Sequence, residues 1–134
     1  MRIKQMIVMR RDLHMRKGKI AAQAGHACVN AVLEALACDG ASALHVDDGM
    51  IHMGEGTVLN EWFAQGEAKV CVYVDSEEAL LDIHQKALEA GILSVLIQDS
   101  GLTEFHGEPT YTCLAFEPCE ADKVDPLTGN LPLF

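Results

Sequence analysis

Hydrophobic and polar positions along this chain follow two different periods, and the switches between them mark its elements. Gln5 to Arg10 (QMIVMR) is a nearly unbroken apolar run, short enough for a strand buried on both faces. Lys69 to Val74 (KVCVYV) and Leu93 to Gln98 (LSVLIQ) read the same way, the former enriched in β-branched residues. Thr110 to Phe116 (TYTCLAF) follows the third strand so closely that an antiparallel return is expected. Between the first two strands the apolar positions take helical spacing over roughly 18–38 and again around 58–65. A third helix is predicted from about Ser76 to Ala90. Its apolar face is Leu80, Ile83, Ala87 and Leu88, Asp75 with Glu78 forms a capping-box-like start, and Gly91 closes it. The predicted order is β-α-α-β-α-β-β.

Strands alternating with amphipathic helices require crossover connections, which predicts an α/β fold with a partly parallel sheet and helices on both faces. In such sheets ligands bind beyond the carboxyl ends of the parallel strands. The first strand runs out into residues 10–19 and the third into residues 98–103. If the two are parallel, one rim brings Lys19 and His26 toward Asp99 and Thr103. Residues 39–56 are rich in Gly and Asp, keep no period and read as a loop excursion. His45, Asp47, Asp48, His52 and Glu55 within it match no metal-ligand spacing, so no metal is expected.

The long helix carries a second pattern. Lys19, Gln23, His26 and Asn30 recur at offsets of 4, 3 and 4 through an otherwise apolar stretch. At about 100° per residue they share an arc of roughly 60°. An exposed face would more usually carry Glu and Lys pairs, so this stripe points to a site. A lysine close to a helix start can stabilise an oxyanion or a phosphate, an aspartate can orient it or take a proton from water, and a histidine can pass that proton on. Such parts suit ester hydrolysis. The competing reading makes Lys19 and Asp99 a structural ion pair, with Gln23, His26 and Asn30 satisfying buried backbone.

Composition narrows the picture. With 134 residues, 49% of them hydrophobic, the chain fits one domain spanning 1–134. No apolar run approaches a membrane span of about 18 residues, and the opening residues lead into a strand, so a cytoplasmic protein is expected. Five cysteines without a C-x-x-C pair indicate neither a disulfide framework nor a zinc knuckle, and Cys28, beside the stripe, has nothing nearby to activate it. The net charge of −10 argues against a nucleic-acid partner until it is divided: residues 1–26 carry +6 and the remainder −16. The cations crowd around the start of the stripe helix. Either they are solvated ends of a strand and a loop, or they bind a polyanion, with Arg10, Arg16 and Lys17 as candidate contacts. His14 and His106 flank the same region as further candidate contacts or plain surface. Gly18-Lys19 fails as a phosphate loop, since position 13 is Leu and position 20 is Ile; neither G-x-S-x-G nor G-x-G-x-x-G occurs.

The run Met15-Arg16-Lys17-Gly18-Lys19-Ile20-Ala21-Ala22-Gln23-Ala24-Gly25-His26-Ala27 resembles the signature of type 2 peptidyl-tRNA hydrolases. Asp99-Ser100-Gly101-Leu102-Thr103 and the segment from Val124 to Leu133 are similar to that family too, in the same order. The resemblance implies a three-layer αβα domain around a four-stranded mixed sheet, commonly a homodimer. It also implies cleavage of the ester joining a peptide to the terminal ribose of tRNA, without metal or cofactor. Carried over, Lys19 matches the family's proposed catalytic lysine, Asp99 its paired aspartate and Thr103 the hydroxyl nearby, while Gln23 and His26 match polar positions of the cleft. The expected roles follow: Asp99 orients or deprotonates water, Lys19 steadies the oxyanion or a phosphate, and His26 and Thr103 position the ribose or the proton path. The alternative is a non-catalytic member that binds tRNA or protein through the same fold.

Overall fold

A computed structural model describes residues 2–38, 45–47, 50–52, 56–102 and 104–134. Its elements are β1 (Ile3–Arg10), α1 (Lys17–Cys38), β2 (His45–Asp47), β3 (Met50–His52), α2 (Val58–Ala64), β4 (Lys69–Val74), α3 (Glu77–Glu89), β5 (Ser94–Asp99), β6 (Thr110–Phe116), β7 (Cys119–Glu120) and α4 (Ala121–Thr128). The four expected strands are present and form one mixed sheet in the order β4-β1-β6-β5. β4 lies parallel to β1, whereas β6 runs antiparallel to both β1 and β5. β1 and β5 therefore point the same way with β6 between them. Their carboxyl ends open on one rim.

Helices cover both faces. Ile7, Met9, Val95, Ile97, Cys113 and Ala115 pack under Ala27, Cys28 and Ala31 of α1. On the opposite face Met6, Val8, Leu114 and Phe116 meet Leu80, Ile83 and Ala87 of α3 and Val124 of α4. A third cluster joins Ile3 and Leu36 to Leu59 and Trp62 of α2. Trp62 is 1% exposed, and its Nε1 donates to Ala68 O at 2.9 Å. Replacing it with alanine is expected to lower the unfolding free energy by roughly 3–5 kcal/mol. Urea denaturation followed by circular dichroism checks this, because Trp62 is the chain's single tryptophan.

Three differences from the sequence reading have local causes. The cap of α3 is Ser76, whose Oγ accepts from Ala79 N at 3.0 Å; Asp75 pairs instead with Arg11. The stop at Gly91 is as expected, in a left-handed conformation at φ +71° with Ile92 N reaching Ala87 O at 2.9 Å. α4 was not foreseen, because Pro126 inside it lacks the N–H that a helix interior needs. Within the 39–56 excursion, β2 and β3 pair antiparallel; the remaining residues of that segment, apart from Gly56, lie outside the described residues.

β6 and β7 meet β1 across an irregularity at one end, β6 bulges against β5 at the other, and polar side chains of β1 bond at both points. Across Glu117-Pro118 the register slips by one, so Ile7 faces Ala115 but Ile3 faces Glu120. There the buried Gln5 donates through Nε2 to Phe116 O at 3.1 Å and Cys28 O at 3.2 Å. At the other end, past Met9–Cys113, the last pair of β1 with β6, β6 bulges against β5: Ile97 faces Cys113 and Gln98 faces Tyr111, leaving Thr112 as the extra residue. Arg10 caps this bulge by donating from Nη1 to Tyr111 O at 3.0 Å. The final residues cover the outer edge of β4, with Phe134 N bonded to Cys71 O and Tyr73 N to Pro132 O.

Candidate active site

The rim shared by β1 and β5 carries the polar ends that the sequence reading singled out. After β1 the chain passes through a short turn in which His14 takes a left-handed conformation at φ +51°. The buried side chain of Met15 anchors the entry into α1. Lys19 is the third residue of that helix, and Asp99 is the last residue of β5. Lys19 Nζ donates to Asp99 Oδ1 at 2.7 Å, with side-chain exposures of only 16% and 12%. The other oxygen, Oδ2, accepts from Gly101 N at 3.0 Å. The carboxylate is thus fixed from both sides by a cation and a backbone donor.

The bonded Lys19 ammonium holds the Asp99 carboxyl below its ordinary 3.8; partial burial opposes this, and the Gly101 N–H supports it. Held below the ordinary carboxylate range, Asp99 is ionised at neutral pH and a weak base for proton abstraction. It suits orienting water and holding Lys19 better than removing a proton outright. A depressed folded-state pKa contributes stability above the unfolded value, and that contribution is lost as pH falls through the folded value. Wild type is therefore expected to exceed Asp99→Asn in denaturation midpoint by a constant margin from pH 7 down to about 4, with the margin closing below that. Midpoints measured across that range check it.

Gln23 lies one turn from Lys19 on the same helix face, yet is only 7% exposed. Its Oε1 accepts from Thr112 Oγ1 at 2.5 Å, and its backbone carbonyl accepts from Cys113 Sγ at 3.5 Å. His26 is exposed. Seven residues along a helix place it about 10 Å from Lys19 in axial rise, beyond direct proton exchange with Asp99. Asn30 is half-buried farther along the same face. Thr103 lies outside the described residues.

The N-terminal cations divide. Arg10 is held in the structure, its side chain 10% exposed and bidentate on Asp12 at 3.2 and 2.7 Å. Arg11 stacks over Tyr73 at 3.8 Å. Arg16 is 91% exposed, with Nε 3.8 Å from Glu104 Oε1, and Lys17 and His14 are exposed as well. Among the described residues no three His, Cys, Asp or Glu side chains gather as a metal site. Burial pushes the Cys28 thiol up, against the pull of Lys69, and takes Cys113 to about 12. The structure therefore joins Lys19, Asp99 and Gln23 around the rim and leaves His26, His14, Arg16 and Lys17 on its exposed border. Thr112, which the sequence reading missed, touches Gln23 from below.

A family model described as peptidyl-tRNA hydrolase PTH2 matches residues 3–134. The chain belongs to the peptidyl-tRNA hydrolase PTH2 family. Relatives named peptidyl-tRNA hydrolase include one from Methanopyrus kandleri, 37% identical over 97% of each chain. Another, from Methanocaldococcus jannaschii, is 36% identical over 98% of this chain and 99% of its own. A third, from Sulfurisphaera tokodaii, is 37% identical over 99% of both. Among solved structures, a protein of unknown function from Agrobacterium tumefaciens str. C58 superposes with a TM-score of 0.54 at 15% identity, over 98% of this chain and 97% of that one. That likeness speaks for the fold alone. Family membership and the three-layer αβα architecture agree with what the sequence motifs implied.

Proposed function

We infer that this chain hydrolyses peptidyl-tRNA, cleaving the ester between a peptide, or an N-blocked amino acid, and the terminal ribose. The observation that carries the reading is the shielded Lys19–Asp99 pair on the carboxyl rim of the sheet, in a chain that matches the family along nearly its whole length. An ammonium held in a partly dry site stabilises the negative charge that develops on the ester carbonyl. The ionised Asp99 keeps that ammonium in place and orients the attacking water. Gln23 adds a neutral donor one turn away. His26 and Thr103 are assigned to the ribose side, and exposed Arg16, Lys17 and His14 to phosphates approaching the rim. Arg10, tied to Asp12 and to the bulge of β6, supports this rim from beneath.

The family resemblance carries a homodimer in the cytoplasm as part of the same reading. Val29 and Leu33 of α1, 58% and 54% exposed, offer apolar surface for self-association. Among the described residues no helix is long and apolar enough to cross a membrane. Sedimentation equilibrium is expected to return twice the chain mass. The activity is tested by incubating the protein with an N-acetyl-aminoacyl-tRNA. Release of the free N-acetyl amino acid, with a tRNA that can be charged again, is the expected result. Binding of the tRNA without release would overturn the enzymatic reading in favour of a binding protein. Salt supplies a check on the border cations, because log affinity should fall with log salt by roughly 0.7–0.9 per phosphate contact.

A further inference from the structure

We propose that Thr112 is a positioning residue for hydrolysis: it fixes the Gln23 amide so that Nε2, and not Oε1, faces the cleft beside Lys19. The inference rests on the reading that this rim hydrolyses an ester, and it begins with the β-bulge. From Phe116 back to Cys113 the side chains of β6 alternate regularly, with Phe116 and Leu114 on the α3 face and Ala115 and Cys113 on the α1 face. Unbroken alternation would send Thr112 to the α3 side. The extra residue in the ladder resets the pattern, so that Tyr111 packs on the α3 face and Thr112 reaches Gln23 of α1. Bulges concentrate beside active sites because they re-aim one side chain without disturbing the rest of a strand. Arg10 holds this bulge from the side of β1 through Tyr111 O.

The length of the contact decides which end of the amide points where. Thr112 Oγ1 and the Gln23 side chain meet at 2.5 Å, both residues being buried, at 0% and 7% exposure. That separation falls within the O–H···O range of about 2.5–3.0 Å and below the N–H···O range of about 2.7–3.2 Å. The oxygen therefore faces Thr112. The trigonal amide then turns Nε2 away from Thr112, which frees its N–H groups for the side of Lys19, one turn back on the helix. The Cys113 thiol on the Gln23 carbonyl fixes the backbone at the same point. Two consecutive residues of β6 thus hold one glutamine, so that it presents N–H donors to a substrate oxygen. A flipped amide would present a carbonyl there and repel the same oxygen.

Steady-state hydrolysis of N-acetyl-aminoacyl-tRNA is measured for wild type, Thr112→Val, Thr112→Ser, Gln23→Ala and the Thr112→Val/Gln23→Ala double variant, with denaturation midpoints in parallel. Thr112→Val keeps the shape and removes the hydroxyl; it is expected to lower kcat about tenfold, the equivalent of one neutral hydrogen bond. KM should change by less than about twofold, and Thr112→Ser should recover kcat to within about threefold. With Gln23 already alanine, Thr112→Val should change kcat by less than about twofold, because the group it positions is gone. If the valine variant does not fold, Thr112→Ala takes its place in the cycle. An undiminished loss in the Gln23→Ala background, or a serine variant no better than valine, would overturn the proposal. Wild-type rates in Lys19→Ala and Asp99→Asn would instead sink the site itself, which separates the two failures.

Discussion

Lys19→Ala is expected to lower the hydrolysis rate by roughly 10²–10⁴-fold, the range typical of losing one group that acts on the reacting atoms. The size follows from where the ammonium sits. At 16% exposure and 2.7 Å from Asp99 it is shielded, so its field on a developing oxyanion is far less screened than that of a surface lysine. Removing it also leaves a carboxylate at 12% exposure held by the Gly101 N–H, so Asp99 loses the cation that keeps it in place. Stability should fall much less than activity, since a rim carboxylate can still draw in water. Rates measured at saturating substrate, with a denaturation curve beside them, distinguish the two effects. A variant within threefold of wild type would remove Lys19 from the chemistry.

Gly101→Ala should be the most damaging single change to the loop that holds the site. Gly101 is buried with φ +84°, and a Cβ there would lie 2.2 Å from Glu108 O and 2.6 Å from both C and N of Glu108. All three atoms are backbone, so no side chain can swing aside. The left-handed conformation costs a non-glycine residue roughly 1–2 kcal/mol. Forced overpacking adds about 1–3 kcal/mol, giving an expected loss near 2–5 kcal/mol in urea denaturation. Activity should fall with it, because the Gly101 N–H is one of the donors on Asp99, and Gly107 N on Gly101 O closes the same loop at 2.9 Å. Wild-type stability and rate in this variant would mean that the loop is looser than its geometry requires.

These two residues also show what a sequence reveals and what it withholds. The Lys19–Asp99 pair was legible because both positions follow from local patterns: a helical period places Lys19 near the start of α1, and a strand end places Asp99 on the rim. The family signature then joined them across 80 positions. The bulge at Thr112 left no such trace. From Thr112 to Phe116 every residue of β6 is buried, and Thr110-Tyr111-Thr112 reads as ordinary strand alternation, so nothing in TYTCLAF signals the extra residue. Arg10 looked like its exposed neighbours, yet it turns inward to Asp12 and Tyr111, next to a bulge the sequence does not reveal. Pro126 hid α4 for an equally local reason, since propensity argues against a helix that tertiary packing on Val124 and Leu127 sustains.

The polar stripe of α1 likewise proves to be three environments on one face. Lys19 is ion-paired at the rim, Gln23 is buried against β6, and His26 is exposed to solvent. A helical wheel sees one arc and not the depth to which each side chain is buried. The uneven burial turns a row of four residues into a graded site.

The central claim is that Lys19 and Asp99 act as one unit in ester hydrolysis, and single-turnover release of N-acetyl amino acid from tRNA by Lys19→Ala, Asp99→Asn and the double variant tests it most directly. Groups that act together are strongly non-additive, so the double variant is predicted to be about as slow as the slower single variant, within roughly tenfold. A double variant slowed by the full product of the two single effects would contradict the account.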